Sequence, residues 1–534
     1  MDPREATLNV ADKSPFLLRD LLLAHAAQST RDDLHMLDAS RGAANWQLRR
    51  VLNAWHTLGL YAAWAPATPP DDGEVALALE PDGPHARRFE EFASTFEDGP
   101  VREGCELLAT MWDWLAEEVL PERSRDRIIY QFAEAAAGRA YPSPPTLDFV
   151  QPIVTRYLAP LLFSGDTALA GEFDVICCEG ATTGIAMVTA TLARNRIVQP
   201  GDRVAMWWPT YEPLRDLVEC QLGCEVVPIR RDPEAGWAAF PEELEKLSDP
   251  AIRLAIIVSP GNPVPVTTDP ASLDALESAV AGNPDLLIIA DYVYAHFLDE
   301  PVETEIGRLP HNTIGVYSVS KDFGLAGMRL GTLLMHPEGA GQRALVGLAG
   351  EARGCADDRY CRRAMEACDL ELAGRVIADS RGVSFTHMSG ISTTLQALIC
   401  ICAAYDVIDN ESERYFDWVR GVLADRVDGL FAGLGLPRPA WADGPSSRYA
   451  TIVDLSEVAR SRGGVELAEA LESRELWDFM TYLAREWKVI LTPGEAFGAG
   501  EWSVRACFPS VDADQARELG ERVADAVEAY AKGG

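Results

Sequence analysis

Six short apolar runs, separated by amphipathic stretches, occupy the middle of the chain and restrict the folds open to it. They are rich in Val and Ile and apolar on both faces, which is typical of parallel strands covered by helices on each side. The intervening stretches are long enough for crossover helices. Residues 150–388 are therefore predicted to form a large, doubly wound α/β domain with a mostly parallel sheet. The runs are 173–178, 203–208, 253–259, 285–290, 313–318 and 330–335.

The chain on either side of this region is mostly helical by pattern. With 534 residues it exceeds the size at which a single core stops growing, so further domains are expected. Ser14 followed by Pro15 predicts the start of a first helix. After residue 388, helical patterns enclose three predicted strands, at 448–455, 488–493 and 501–508. We expect three segments besides the large domain: an N-terminal segment at 1–65 that packs on the small domain and the active site, a helical insertion at 66–149, and a small α+β domain at 389–534.

Charge and composition argue against several classes of function. The chain carries 82 acidic and 47 basic residues, a net charge of −35, so its surface repels phosphate backbones and anionic lipid. No apolar run is long enough to span a bilayer, and the first residues do not resemble a signal peptide. Neither the cysteines nor the histidines have metal-binding spacings. We expect no nucleic acid, membrane or metal partner, and the scattered thiols predict a cytoplasmic protein.

Five of the six apolar runs are followed by a distinct polar or aromatic group. Ligands of open α/β sheets bind beyond the carboxyl ends of the strands, so these groups are candidates for a common site. They are EGATTG after 178, PTYEP after 208, PGNP after 259, DYVY after 290 and VSK after 318.

Some of these residues suit a phosphate. The first residues of a helix present N–H groups to an anion, hydroxyls add donors, and a guanidinium matches phosphate oxygens. The predicted phosphate ligands are Gly180, Ala181, Thr182, Ser318, Ser320 and Arg329.

The remaining groups suit a flat ring and an aldehyde. Tyr211 is a candidate to stack on such a ring. Asp291 is a carboxylate at the end of a buried strand and needs a cationic partner to stay ionised. Lys321 is an amine in a desolvated cleft, where its pKa falls and it becomes nucleophilic. A phosphate, a ring with a protonated nitrogen and a condensing amine together describe pyridoxal phosphate.

The same residues resemble the fold-type-I pyridoxal-phosphate enzymes of the aspartate aminotransferase superfamily. SVSK at 318–321 is similar to their SxSK motif, and Arg329 follows the lysine at the matching distance. The resemblance extends from about residue 150 to the end. It implies that Lys321 bonds covalently to the cofactor and that Asp291 binds the ring nitrogen. It also implies a homodimer or a larger assembly of dimers, because the sites of this superfamily are shared between subunits.

Further roles follow from this resemblance. It implies that Asn262 and Tyr294 hydrogen-bond the phenolic oxygen of the cofactor ring, and that Tyr211 stacks on the ring. Arg505, on the predicted strand 501–508, occupies the place of the arginine that binds the α-carboxylate of the amino-acid substrate.

A second resemblance, to the aspartate 4-decarboxylases, covers nearly the whole chain. It implies that Arg41 handles the side-chain carboxylate of the substrate and that Tyr141 reaches the cofactor phosphate of a partner subunit. The loops near the substrate depart from that pattern, with SRGAAN where the relatives have roughly GRGNPN, and STTLQ for STPQQ. The stretches that carry the resemblance are SPFLLRDLL, MLDASRGAANW, GRAYPSPP and residues 376–396.

Three functions remain open at this point. The resemblance implies an enzyme that decarboxylates aspartate, or an aspartate-like amino acid, at the β position through a ketimine to give alanine and CO2. An aminotransferase of acidic or other amino acids uses the same residues, so the motifs separate the two poorly. A noncatalytic regulator built on this fold is disfavoured, because the N-terminus offers no basic helix-turn-helix and the net charge is −35.

Overall fold

The computed structural model describes residues 9–67, 74–75, 77–139, 141, 145–361, 364, 366, 369–380, 391–409 and 412–533. Parts of the predicted helical insertion, at 68–73, 76, 140 and 142–144, lie outside the described residues, as do positions 381–390 of the 376–396 segment. The chain divides into two compact units. The first comprises Met1–Asn45, Val198–Val302 and Phe416–Gly534, and the second comprises Trp46–Ile197 and Glu303–Tyr415. The four-part division drawn from the sequence stays a prediction.

Helices make up most of the described chain, and sequence signals set several of their ends. Ser14 caps the first helix by accepting a hydrogen bond from the Phe16 N–H, as predicted. Asp512 and Gln515 form a capping box at the start of the last one. The α-helices are α1 Pro15–Ala26, α2 Arg49–Trp64, α3 His85–Ala93, α4 Gly99–Trp114, α5 Arg125–Ala137, α6 Val150–Leu162, α7 Thr167–Gly171, α8 Ala181–Arg194, α9 Glu212–Asp216, α10 Pro241–Leu244, α11 Pro270–Gly282, α12 Glu305–Arg308, α13 Val319–Asp322, α14 Ala340–Val346, α15 Gly350–Tyr360, α16 Leu372–Asp379, α17 Thr393–Ile408, α18 Ser412–Leu434, α19 Leu455–Glu472, α20 Leu476–Glu486 and α21 Ala513–Ala531.

Each of the six apolar runs forms a strand, as predicted, within two residues of its expected bounds. The strands are β1 Leu37–Asp38, β2 Asp174–Cys178, β3 Arg203–Trp208, β4 Glu225–Asp232, β5 Ala238–Ala239, β6 Ile252–Val258, β7 Leu287–Asp291, β8 Thr313–Tyr317, β9 Gly331–Met335, β10 Ala450–Asp454, β11 Val489–Ile490, β12 Thr492–Pro493 and β13 Ser503–Cys507.

In the first unit, five strands lie side by side in the order β7-β6-β3-β4-β5. The pairs β7-β6, β6-β3 and β3-β4 are parallel, and β5 is antiparallel to β4. Every residue of β7 is buried, because helices cover this kind of sheet on both faces. The unit also contains an antiparallel sheet, β10-β13-β12, and a short parallel pair, β1-β11.

In the second unit, three strands lie in the order β2-β9-β8. β9 runs antiparallel to both neighbours, unlike the parallel strand predicted at 330–335. The cause lies in the connection from β8 to β9, which holds only the one-turn segments Val319–Asp322 and Ala326–Met328. A parallel return requires a longer crossover, usually a full helix. The remaining helices of the unit include α17, whose residues are buried on nearly all sides.

No helix in the described ranges is both long enough and apolar enough to cross a membrane. The same ranges contain no cluster of three or more His, Cys, Asp or Glu side chains able to hold a metal ion.

Candidate active site

Four residues predicted to bind the cofactor ring belong to the first unit and follow its parallel strands. Asp291 ends β7, is buried, and accepts a hydrogen bond from the Val293 N–H at 3.1 Å. The Asn262 side-chain amide donates to the Tyr294 hydroxyl at 3.2 Å. Burial raises the pKa of Tyr294 well above its usual range, and the charges of Asp291 and Tyr211 add to this shift. The structure therefore brings these four side chains together.

Asn262 keeps bonding capacity for a ligand. Its carbonyl oxygen is buried and has no hydrogen-bond partner among the described residues. A buried polar atom left unpaired costs about 1–3 kcal/mol, so a polar group bound here recovers part of that free energy. This observation fits the presence of a polar ring beside Asn262.

Arg505 is a buried cation on β13 of the first unit. Its Nη2 donates to the Ser40 carbonyl at 2.5 Å, and its guanidinium carbon lies 4.5 Å from the centre of the Phe497 ring. Its Nε is buried without a hydrogen-bond partner in the described chain. No carboxylate of the described residues forms an ion pair with it. A buried guanidinium in this state is costly, and a bidentate carboxylate from a substrate offsets the cost.

Arg41 lies in a loop that is held on both sides of this residue. The carbonyl of Ser40 accepts the hydrogen bond from Arg505, and the carbonyl of Gly42 accepts one from the Tyr449 hydroxyl at 2.8 Å. Arg41 itself is exposed. These two hydrogen bonds fix the backbone on both sides of Arg41, and one of them comes from Arg505.

The residues predicted to bind the phosphate belong to the second unit. Gly180 directly precedes α8 with φ +91°, and Ala181 and Thr182 are the first two residues of that helix. A Cβ on Gly180 would overlap the Arg329 guanidinium, at 3.0 Å from its Cζ. The N-terminal end of α8 and an arginine thus lie together, and both favour an anion.

Ser318 and Ser320 use their hydroxyls to close the loop between β8 and β9. Both are buried. The Ser318 hydroxyl donates to the Leu330 carbonyl at 2.5 Å, and the Ser320 hydroxyl accepts from the Leu330 N–H at 2.9 Å. A phosphate contact from either hydroxyl stays a prediction. Lys321 is half-buried in the one-turn helix α13.

Tyr141 is 73% exposed and lies between the undescribed positions 140 and 142–144. Its predicted contact with the cofactor of a partner subunit stays a prediction.

Several residues of the site carry no signal in the sequence pattern. Tyr449 packs its ring 4.7 Å from the ring of Tyr294, and Phe497 lies under the Arg505 guanidinium. Both come from segments far along the chain, and no motif marks them. In the second unit, Asp322 was not predicted as a site residue either, although its position directly after Lys321 could have drawn attention to it.

Comparisons with known proteins point to one family. The family described as aminotransferase class I and II matches residues 127–523. A bifunctional aspartate aminotransferase and L-aspartate beta-decarboxylase from Pseudomonas sp is 30% identical over 526 residues, 97% of each chain. An aspartate/prephenate aminotransferase from Thermus thermophilus is 29% identical over 136 residues, 25% of this chain and 35% of the relative.

Solved structures share the fold at low sequence identity. The aspartate aminotransferase from Rhizobium meliloti is 16% identical, with a TM-score of 0.58 over 99% of this chain and 98% of that one. A double mutant of the Thermus thermophilus aspartate aminotransferase is also 16% identical, with a TM-score of 0.54 over 98% of this chain and 99% of that one. The predicted fold-type-I architecture is thereby confirmed.

Proposed function

The chain belongs to the aminotransferase class I and II family, and on that premise we propose that it acts on aspartate, or an aspartate-like amino acid, and releases the side-chain carboxylate as CO2. Pyridoxal 5′-phosphate is the cofactor of this family of enzymes and of this chain. The bifunctional Pseudomonas relative, similar over nearly the full length, supports the choice of substrate and reaction.

The observation that carries the proposal is the pair of arginines at Arg505 and Arg41. Arg505 is buried without a carboxylate partner in the described chain, and it donates to the carbonyl of the residue just before Arg41. Two guanidinium groups on adjoining backbone segments match an amino acid with two carboxylates. We assign the α-carboxylate to Arg505 and the side-chain carboxylate to Arg41.

The bound cofactor supplies an electron sink next to the amino group of the substrate. Asp291 keeps the ring nitrogen protonated by pairing its carboxylate with it, and Asn262 and Tyr294 bind the phenolic oxygen. Lys321 holds the cofactor before the substrate arrives and then moves the proton at the substrate Cα. Tyr211 stacks on the ring. We assign six residues to the phosphate: Gly180, Ala181, Thr182, Ser318, Ser320 and Arg329. In a homodimer or an assembly of dimers, Tyr141 is assigned to the cofactor phosphate of a partner subunit.

Transamination is a second candidate function, favoured by the bifunctional description of the Pseudomonas relative. The two reactions share every residue named above, and they differ in whether the distal carboxylate leaves before water enters the site. How firmly Arg41 and its loop hold that carboxylate and exclude water decides between them.

Purified protein loaded with cofactor tests the proposal. Aspartate alone should yield CO2 and alanine in equal amounts, without added 2-oxo acid. Turnover that depends strictly on a 2-oxo acid, with no CO2, would replace decarboxylation by transamination. Lys321→Ala should abolish both turnover and borohydride trapping of the cofactor.

A variant pair tests the role of Arg41. Arg41→Ala should lower CO2 release from aspartate while leaving transamination of a monocarboxylic amino acid such as alanine unchanged. Arg31→Ala, which removes a half-buried arginine that pairs with Asp33 and donates to the Glu486 carbonyl, serves as the control and should change neither rate. If both variants change the rate of CO2 release equally, Arg41 does not bind the substrate.

A further inference from the structure

A buried cluster of one carboxyl group and two phenols lies directly beside Lys321 in the second unit. Asp322, the last residue of α13, is fully buried. Its Oδ2 accepts hydrogen bonds from the hydroxyls of Tyr157 on α6 and Tyr317 on β8, both at 2.7 Å. The two hydroxyl oxygens lie 3.1 Å apart. Three elements of the unit therefore meet at one carboxyl oxygen.

The geometry of this cluster fits an ionised Asp322. Each hydroxyl has one proton, and both can donate to the same oxygen only when that oxygen carries none. The other carboxyl oxygen, Oδ1, is buried and has no hydrogen-bond partner among the described residues. A proton placed there would lack an acceptor, whereas a proton on Oδ2 would turn one tyrosine hydroxyl from donor to acceptor.

Several titratable groups face Asp322 from the elements packed around it. Besides the two phenols, these are Asp406 and Cys402 on α17 and Tyr415. Burial raises the pKa of Asp322 to about 7, the two tyrosine hydroxyls lower it, and the charge of Asp406 raises it. Burial and Asp406 thus oppose ionisation of Asp322, and the two tyrosine hydroxyls favour it.

The cluster also fixes a very short helix. A single turn such as α13 is not stable alone, because nucleation of a helix is unfavourable. Tyr157 and Tyr317 bind the side chain of Asp322, and the Tyr415 hydroxyl donates to its backbone carbonyl at 2.7 Å. On the other side of the lysine, Ser320 is tied to Leu330. Lys321 thus lies between two anchored residues.

We propose that Asp322, together with Tyr157 and Tyr317, is a positioning residue for Lys321: it pins the turn that carries the lysine and puts a carboxylate on the next residue of the chain. This inference rests on the proposed role of Lys321 in holding the cofactor. The negative charge favours the protonated form of the lysine nitrogen.

Asp322→Asn tests the proposal, because it keeps the shape of the side chain and removes its charge. In the cofactor-loaded protein, the pH titration of the visible absorbance should move to lower pH. In the cofactor-free protein, the pH dependence of reductive methylation of Lys321, followed by mass spectrometry of its peptide, should move in the same direction. The kcat should fall while KM stays within twofold, as expected when the lysine is misplaced and substrate binding is intact.

Asp379→Asn is the control for the loss of a buried carboxylate elsewhere in the unit, and it also removes an ion pair with Arg359. Asp379 is also buried in the second unit and also accepts from a tyrosine hydroxyl, that of Tyr360, at 2.8 Å. It should leave both titrations unchanged. If Asp322→Asn does not fold, Tyr157→Phe removes one donor, weakens the ionised form of Asp322 and should shift the titrations in the same direction by a smaller amount.

Titrations of Asp322→Asn and Tyr157→Phe that match the wild type in both states of the protein would overturn the proposal. That outcome differs from failure of the proposed function. If Lys321→Ala still traps the cofactor with borohydride, the assignment of Lys321 is wrong, whereas the methylation titration of the cofactor-free protein continues to report on the cluster.

Discussion

Replacing Gly180 with alanine should weaken cofactor binding through an effect separable from its cost to the fold. Gly180 has φ +91° and ψ 160°, a conformation that is essentially restricted to glycine. An alanine there costs about 1–3 kcal/mol of folding free energy. Its Cβ also overlaps the guanidinium of Arg329. Because Arg329 is exposed and the overlap falls on the far end of a long side chain, we expect the guanidinium to move away from its proposed place at the phosphate.

The size of the binding effect follows from the lost contact. A hydrogen bond to a charged group contributes about 1.5–3 kcal/mol, which corresponds to an increase of about 10–150-fold in the Kd of the cofactor. Titration of the cofactor-free protein with pyridoxal phosphate, followed by absorbance, measures this Kd. Urea unfolding of the same preparation measures the cost to the fold.

Two controls separate strain from the steric effect. Gly201 has nearly the same φ, +90°, and a Cβ there meets no atom within 4 Å in the described part of the structure. Gly201→Ala should lower the free energy of unfolding by a similar amount and leave the Kd unchanged. In an Arg329→Ala background, Gly180→Ala should add nothing to the Kd, because its steric partner is gone.

A wild-type Kd in Gly180→Ala, measured together with the expected loss of stability, would refute this reasoning. It would mean that Arg329 does not bind the phosphate from its place against Gly180. An equal rise of the Kd in Gly201→Ala would assign the whole effect to backbone strain.

Three further changes test other parts of the first unit. Arg505→Lys keeps the charge but loses the planar fork, so the KM of the amino-acid substrate should rise about 10–150-fold in steady-state kinetics; an unchanged KM would remove Arg505 from substrate binding. Burial lowers the pKa of His296 to about 3, so between pH 3 and 6.5 the folded state binds fewer protons than the unfolded state and stability rises with pH. The free energy of unfolding of His296→Phe, taken relative to that of the wild type, should therefore be about 2 kcal/mol higher at pH 5 than at pH 8 in urea unfolding. A relative free energy that does not vary with pH would contradict this. Tyr294→Phe removes the acceptor of the Asn262 amide and should cost about 0.5–1.5 kcal/mol in the same assay, whereas no loss would show that this 3.2 Å bond contributes nothing.

The strands could be predicted well because burial on both faces leaves a continuous apolar run. β3 spans the predicted residues 203–208. β4 was missed, since its exposed and buried positions mix charged residues with a proline at Pro228. The direction of β9 was also wrong, because apolarity does not encode strand direction; the length of the preceding connection does.

The candidate site could be predicted only where its residues follow strands directly. Asp291 ends β7 and Gly180 comes shortly after β2, so each could be proposed as a ligand residue from its position after a strand. Contacts between segments that are distant in the chain produce no pattern in the sequence, so they could not be predicted. Tyr157 reaches Asp322 across 165 positions of the chain, and Arg505 reaches Ser40 across 465. Such pairs depend on how whole elements pack, which periodicity does not report.

The bonds from Ser318 and Ser320 to the Leu330 backbone have a mechanical consequence. They tie the start of the connection between β8 and β9 to its end, which makes residues 318–330 a closed ring of chain. Lys321 and Arg329, which we propose attach to the aldehyde and phosphate ends of the cofactor, both lie within this ring. The hydrogen bonds limit how far this ring can open, so the two proposed attachment points belong to one short, cross-linked stretch of chain.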